Sequence, residues 1–210
     1  MLHHCLHNFG LGENECIVHA DNCAGQNKNR YLLAYFCWRI LLGLHRQITY
    51  MMQIPGHARC LVDSNFAHIK RLYKRSDCNS LEQLRSIVDK SSYSNNAVLY
   101  AEEESWMWSD WVQFFSEHFD PLKGLRRFQI FRFCHDSPGY VLCKKSSDGE
   151  EIPVRLLKSD VRHFAHDARP PEISPGGLTR ERQAYLYSRI RPFVTNPWKD
   201  VTCPPVQNEE

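Results

Sequence analysis

Apolar positions along the chain alternate between a helical period and a period of two, which predicts a mixed α/β protein. Leu2, Leu6 and Phe9 share one face of a first helix that Gly10-Leu-Gly12 closes. Glu15-Cys-Ile-Val-His-Ala20 is a short apolar run suited to a buried strand, and it ends at Asp21-Asn22 and the turn-prone Cys-Ala-Gly. Asn27 or Asn29 then caps a helix from Arg30 to Leu42. That helix is apolar on most sides and is therefore expected between layers; Gly43 ends it. Gln47 to Ile54 is rich in β-formers and stops at Pro55-Gly56, so strand, helix and strand make a βαβ unit.

Asp63 or Ser64 is placed to cap a helix carrying Phe66, Ile69, Leu72 and Tyr73. Another helix, Leu81 to Asp89, opens on Ser80 with Gln83 three residues on, a capping-box pattern. Ala97 to Tyr100 is a short strand candidate, and Asp110 starts an aromatic-rich helix. Phe128 to Phe133 alternates, Ser137-Pro-Gly139 turns and Tyr140 to Lys145 returns, which predicts a β-hairpin; Ile152 to Leu157 adds a third strand after Asp148-Gly149. Pro170, Pro171, Pro175 and Gly176-Gly177 read as a linker before a last helix from Thr179 to about Ile190 and an irregular tail beyond Pro197. Three segments result: 1–90, 91–164 with the hairpin, and 165–210 with linker, helix and tail.

Composition narrows the class. Of 210 residues, 42% are hydrophobic and 24% charged, an ordinary globular balance rather than a disordered one. Lys and Arg total 26 against 24 Asp and Glu, a net charge of +2, so any nucleic-acid surface must come from local clusters. Lys70 to Arg75 and Lys123 to Arg127 are the two such clusters, and either serves equally as a solvated face. The nine cysteines are scattered without a CxxC pair, so no zinc ribbon is signalled and reduced thiols of the nucleus or cytosol are expected. No secretory leader or membrane-length apolar run is seen. A chain that opens inside an amphipathic helix is expected to be a fragment.

Two carboxylates stand where chemistry is plausible. Asp21 follows a buried strand, at the end where open α/β sheets place their sites, and Asp63 opens a helix past the second strand. Two-metal phosphoryl transfer needs converging carboxylates and hard oxygen ligands for Mg²⁺ or Mn²⁺. On spacing alone a turn-forming Asp and a helix cap are the favoured reading, since short motifs often match by chance. His3, His4 and His7 offer an i, i+4 pair without a third ligand, and Cys23 has a nucleophile's chemistry without an identifiable base. Trp106, Trp108, Trp111, Phe114 and Phe115 suit either base stacking or an aromatic core.

The block His19-Ala-Asp-Asn-Cys-Ala-Gly-Gln-Asn-Lys-Asn29 resembles the signature of a transposon-derived family of uncharacterised proteins, itself similar to DDE-type transposases and retroviral integrases. The resemblance continues through Trp38-Arg39, Leu42-Gly-Leu-His45, Gly56-His57, Asp63, Phe66 and Lys70. It resumes at Phe128 to Phe133, Ser137-Pro-Gly139, and Gly177 to Gln183 with Leu186-Tyr187. Ala67 departs from the family's usual glycine.

The resemblance implies an RNase H-like α/β core lacking its first strands, over 1–90, with an α+β C-terminal extension. It implies Asp21 and Asp63 as catalytic, metal-binding carboxylates for Mg²⁺ or Mn²⁺, acting on DNA phosphodiesters in cleavage and strand transfer. Gln26, Asn27, Lys28, His57 and Lys70 are its nucleic-acid-binding candidates, and for His57, Lys28 and Lys70 a purely structural or solvated role is equally open. DNA, as transposon ends or target, is the implied partner, with self-association open and no membrane. The first carboxylate is expected on a strand upstream of Met1, so the chain by itself is expected to be catalytically incomplete. A domesticated, non-catalytic module that binds DNA or protein is the alternative.

Overall fold

The computed structural model describes every residue except 1, 9, 11, 24, 55–60, 100–106, 162, 163, 166, 175 and 207–210. Among these residues the fold is α/β, with one five-stranded mixed sheet and seven α-helices. The chain divides into two compact units, Met1–Ala58 with Ser109–Ile173, and Arg59–Trp108 with Ser174–Glu210.

The first unit holds the sheet. Strand β1 (Glu15–Ala20) pairs in parallel with β2 (Gln47–Met52), with Val18 opposite Tyr50. Helix α2 (Arg30–Leu41) connects them, as the βαβ pattern predicts. Strand β3 (Ile130–Cys134) runs antiparallel to β2, placing Phe131 opposite Tyr50. Strands β4 (Tyr140–Lys144) and β5 (Ile152–Arg155) complete an antiparallel meander, in the order β1-β2-β3-β4-β5. The hairpin therefore extends the sheet of the βαβ unit, and one sheet draws strands from both segments 1–90 and 91–164.

Alternation decides which sheet face is buried. Ile48, Tyr50 and Met52 of β2, Phe131 and Phe133 of β3, and Val141 and Cys143 of β4 all point into the core, while their neighbours stay partly exposed. Helix α2 lies over that face. Leu33 to Ile40 are buried without interruption, so the helix has no solvent stripe, as its all-round apolar sequence predicts. Phe36 meets Tyr50 and Phe133 on the sheet side, at 5.0 and 5.8 Å between ring centroids. On its far side Trp38 meets Trp111 of helix α5 (Trp111–His118) at 5.4 Å. Helix α1 (Leu2–Asn8) adds His3 to the same aromatic group.

One polar arrangement sits inside this apolar layer. Arg39 is buried, and its guanidinium donates to the Tyr35 hydroxyl at 2.9 Å, His45 Nδ1 at 3.1 Å and the Leu6 carbonyl. The Arg39 contact makes Nδ1 of His45 an acceptor, which requires a neutral imidazole. Burial and the adjacent Arg39 charge lower the His45 pKa in keeping with that role.

The second unit contains helices α3 (Leu61–Tyr73) and α4 (Leu81–Ser91), which pack on each other. It also contains α6 (Arg180–Tyr185), a wide turn over Leu186–Ile190, and α7 (Lys199–Thr202). The last helix therefore loosens after Tyr185, and a short helix forms where the sequence suggested an irregular tail. Ser80 caps α4 as predicted, but Gln83 reaches back to the Asn79 amide, at 2.6 Å. Asn79 also accepts from the Thr195 amide, at 2.9 Å. Arg191 donates to the carbonyls of Lys199 and Cys203 and pairs with Asp200, tying this end together around buried Cys203. Residues 97–99 form no strand, so the candidate at Ala97 to Tyr100 is not realised over its described part. Asp63 lies in the first turn of α3 rather than capping it, because the helix already begins at Leu61.

Candidate functional site

Asp21 leaves the C-terminal end of β1, at the rim where β1 and β2 end and β3 begins. Backbone bonds draw the rim together: Gln53 N–H donates to Ala20 C=O and Met52 N–H to Gln129 C=O, each at 2.8 Å. The turn that follows is built around the Cys23 carbonyl, which accepts from the amides of Gln26, Asn27 and Lys28. Asp21 Oδ1 accepts from the Cys23 amide at 3.2 Å and from the Asn27 side-chain amide at 2.5 Å. These bonds fix the carboxylate, and Oδ2 meets no protein donor among the described residues. The carboxylate itself is exposed.

The remaining polar residues of the block mostly hold this turn. Asn29 caps α2 by accepting from Leu32 N–H, at 3.0 Å, and its amide donates to Gln26 C=O, at 2.7 Å. Tyr50, buried in the sheet, donates its hydroxyl to Asn27 C=O at 2.8 Å. Its pKa is raised by burial and then by the nearby Asp21 charge, so it remains a donor. Asn22 donates to Gln129 Oε1 at 3.0 Å and accepts from Lys28 Nζ at 3.1 Å.

Lys28 is only 3% exposed, and Nζ also donates to Arg126 C=O at 3.1 Å. Its pKa is lowered by burial. The ammonium thus braces the turn against the segment before β3 and is not presented to solvent. The bond has a consequence that spacing along the chain conceals. It brings Lys123 to Arg127, nearly a hundred residues on, to the same rim as Asp21, with Lys123, Arg126 and Arg127 all exposed. Gly124 turns the segment at φ +71°, a conformation that favours glycine, and the Arg127 guanidinium lies against its Cα.

The candidates divide between the two units. Asp21, Gln26, Asn27 and Lys28 share one turn of the first unit; Asp63 and Lys70 are on α3 in the second unit, where Lys70 is exposed. His57 lies outside the described residues. Among the described residues, no three His, Cys, Asp or Glu side chains converge on a point that would hold a metal ion. One fixed carboxylate with one open oxygen does not by itself fit a two-cation centre. Of the aromatic cluster, Phe114 and Phe115 are core residues, whereas Trp111 is half-exposed beside the turn.

The family described as a domain of unknown function, DUF7869, matches residues 6–148. The chain belongs to this family. The DUF7869 match takes in β1 through β4, the whole Asp21 turn and the Lys123–Arg127 segment, and stops short of β5. No curated protein and no solved structure matches the chain. Among the described residues, no helix is long and apolar enough to cross a membrane.

Proposed function

We propose that the sheet-bearing unit of this DUF7869 protein is an RNase H-like, transposase-derived domain that binds DNA along the Asp21 rim. The observation that carries the reading is the Lys28–Arg126 bond, which ties a segment bearing three exposed cations to the turn that fixes the Asp21 carboxylate at the end of a parallel strand. Phosphate backbones are attracted to such cations, and metal-dependent phosphoryl transfer uses carboxylates at such strand ends. Strand β1 is an edge strand among the described residues.

Ancestrally, Asp21 and Asp63 would have held Mg²⁺ or Mn²⁺ for DNA cleavage and strand transfer. The Asp21 turn and the Lys123–Arg127 segment lie within the first unit and could contact DNA without a second carboxylate, which is the second reading, a non-catalytic DNA-binding module. The role of Asn27, Asn22 and Lys28 is then positioning: they hold the carboxylate and the basic segment in register. Lys70, in the second unit, is assigned a phosphate contact on the resemblance alone.

The test is DNA binding by the full chain, read by fluorescence anisotropy of a labelled duplex across a salt series. Salt-sensitive binding that falls when Lys123, Arg126 and Arg127 are replaced by Gln supports the proposal. Absence of binding, or binding indifferent to those replacements, overturns it. Cleavage of duplex DNA in Mg²⁺ or Mn²⁺, lost in Asp21→Asn and in Asp63→Asn, separates the catalytic reading from the binding module.

A further inference from the structure

The Asp21 turn also forms one wall of a cavity. It is open-mouthed, about 240 Å³ in volume, and bounded by the turn, α1, the start of α2 and α5. Its floor is aromatic: Tyr35, Trp111 and Phe115 meet there, with Trp111 at 5.6 Å from Tyr35 and 5.3 Å from Phe115 between centroids. His3 closes the inner side and stands 5.1 Å from Trp111. Tyr31 forms the outer wall, with the exposed Arg30 guanidinium 4.6 Å above its ring.

Two polar features distinguish this space from a packing defect. Asn29 and Gln26 both reach it, but the Asn29 amide is committed to the fold at both ends, as cap and as donor to Gln26 C=O. The Gln26 side chain is exposed, and no partner engages its amide among the described residues. It is therefore free to bond an occupant through both a donor and an acceptor. Among the described residues no carboxylate lines the cavity, while the Arg30 guanidinium lies over the ring of Tyr31, its outer wall, and Arg39 lies beneath Tyr35. A cationic guest, the usual occupant of an aromatic box, is disfavoured by that field. His3 feels the same environment: burial first, then Arg39, lowers its pKa to about 4, so it stays a neutral ring.

A planar neutral ring with amide-complementary edges and an attached anion meets all of these terms. We infer that the cavity takes one unstacked nucleobase of a DNA strand, stacked against Tyr31 and Trp111, bonded on its edge by Gln26, with its phosphate at Arg30. Stacking on aromatic side chains is how unpaired bases are commonly held, and a base reaches such a pocket by leaving its stack. The inference rests on the nucleic-acid reading above and names what the rim would hold.

Calorimetric titration of the full chain with deoxyadenosine monophosphate, in the presence of EDTA, tests it without any catalytic readout. Saturable binding is expected, with deoxyribose phosphate failing to compete. Tyr31→Leu and Gln26→Leu, both at the open side of the cavity, are each expected to weaken that binding by about tenfold with the melting temperature unchanged. Equal binding of deoxyribose phosphate reduces the site to a phosphate contact and overturns the inference. So does binding that survives both substitutions, or no binding at all. Duplex binding that persists while the mononucleotide fails removes the pocket alone; loss of both removes the nucleic-acid reading with it.

Discussion

The Asn27 side-chain amide donates to Asp21 Oδ1 over 2.5 Å, across six residues of a turn whose own backbone converges on the Cys23 carbonyl. Asn27 is in turn held by Tyr50, which donates to its carbonyl from within the sheet. The carboxylate is thus positioned by the core through two intermediaries, and its orientation depends on residues that never touch a ligand.

Position and charge can be separated at this point. Asn27→Ala removes the donor to Oδ1 and is expected to cost about 1 kcal/mol in urea unfolding, the usual net worth of one such hydrogen bond. Amide exchange at Gln26 and Lys28 should accelerate with it, because the turn loses its anchor. Asp21→Asn keeps an acceptor oxygen for both donors and is expected to cost about 0.5 kcal/mol or less. A larger loss for Asp21→Asn than for Asn27→Ala would show that the carboxylate charge, not the bond, holds the turn.

Lys28→Met should be more damaging than either. The methionine fills the space, but Asn22 Oδ1 and the Arg126 carbonyl both lose their donor. Leaving these partly buried acceptors unpaired costs up to about 1–3 kcal/mol, offset in part because no ammonium need be desolvated. Arg is not expected to rescue it, since a planar guanidinium cannot take the place of a compact ammonium in so enclosed a site. Chemical denaturation of the three proteins checks the order: wild type, then the two variants close together.

Acid should weaken the aromatic layer before it affects the sheet. His3 and His45 both have pKa values lowered from the ordinary 6.5, chiefly by burial, His3 to about 4. Their neutral forms are favoured in the folded state, so the unfolded chain binds more protons at acid pH. The stability they contribute is fully present above pH 6.5 and is lost as pH falls from there through the folded values, down to about 4 for His3. His45→Gln retains an acceptor for Arg39 and should flatten part of this slope, and His3→Phe should flatten more of it. Melting temperatures measured between those limits give the answer, and a slope unchanged in both variants would place the acid sensitivity elsewhere.

Much of this fold was legible from local pattern, and the limits of legibility have physical causes. The βαβ unit announced itself because β1 is apolar, α2 is apolar all round and Gly43, at φ +66°, ends the helix. The hairpin was legible from its alternation, but its pairing with β2 was not, since register between distant strands leaves no local trace. The site divides in the same way. Asp21 and the turn residues could be singled out, whereas the burial of Lys28 could not, because its two acceptors are Asn22 and a backbone carbonyl at position 126. The approach of the Arg126 backbone to the Asp21 turn rests on that bond, and the role of Trp111 on the way α5 meets α2 and the turn.

Two glycines with positive φ give a contrast that tests the packing directly. Gly139, at φ +79° between β3 and β4, has its α-carbon against Leu157, so that a Cβ would stand 2.9 Å from the leucine's own Cβ. Gly139→Ala therefore carries both the left-handed backbone cost, about 1–2 kcal/mol, and a clash that Leu157, two residues past β5, must yield to. Gly43 has a similar φ but nothing within 4 Å of the added carbon. Gly43→Asn should cost about 1 kcal/mol or less, since asparagine tolerates that conformation at a helix end. Thermal unfolding that ranks the two substitutions the other way would contradict the placement of Leu157.

The salt dependence of DNA binding measures whether the rim acts as a unit. Each phosphate neutralised by a cation contributes a slope of about −0.9 in log affinity against log salt on duplex DNA. Replacing Lys123, Arg126 and Arg127 singly with Gln should flatten the slope by about that amount for each side chain that contacts phosphate. Lys28→Met provides the control that distinguishes contact from positioning. Its ammonium is buried and donates inward, so it neutralises no phosphate, yet its loss releases the Lys123–Arg127 segment from the Asp21 turn. Affinity should therefore fall in Lys28→Met with a slope close to the wild-type value, because the three cations remain on the chain and still meet phosphate, only less well ordered. A Lys28→Met slope as flat as that of the surface variants would mean that this lysine reaches the DNA itself.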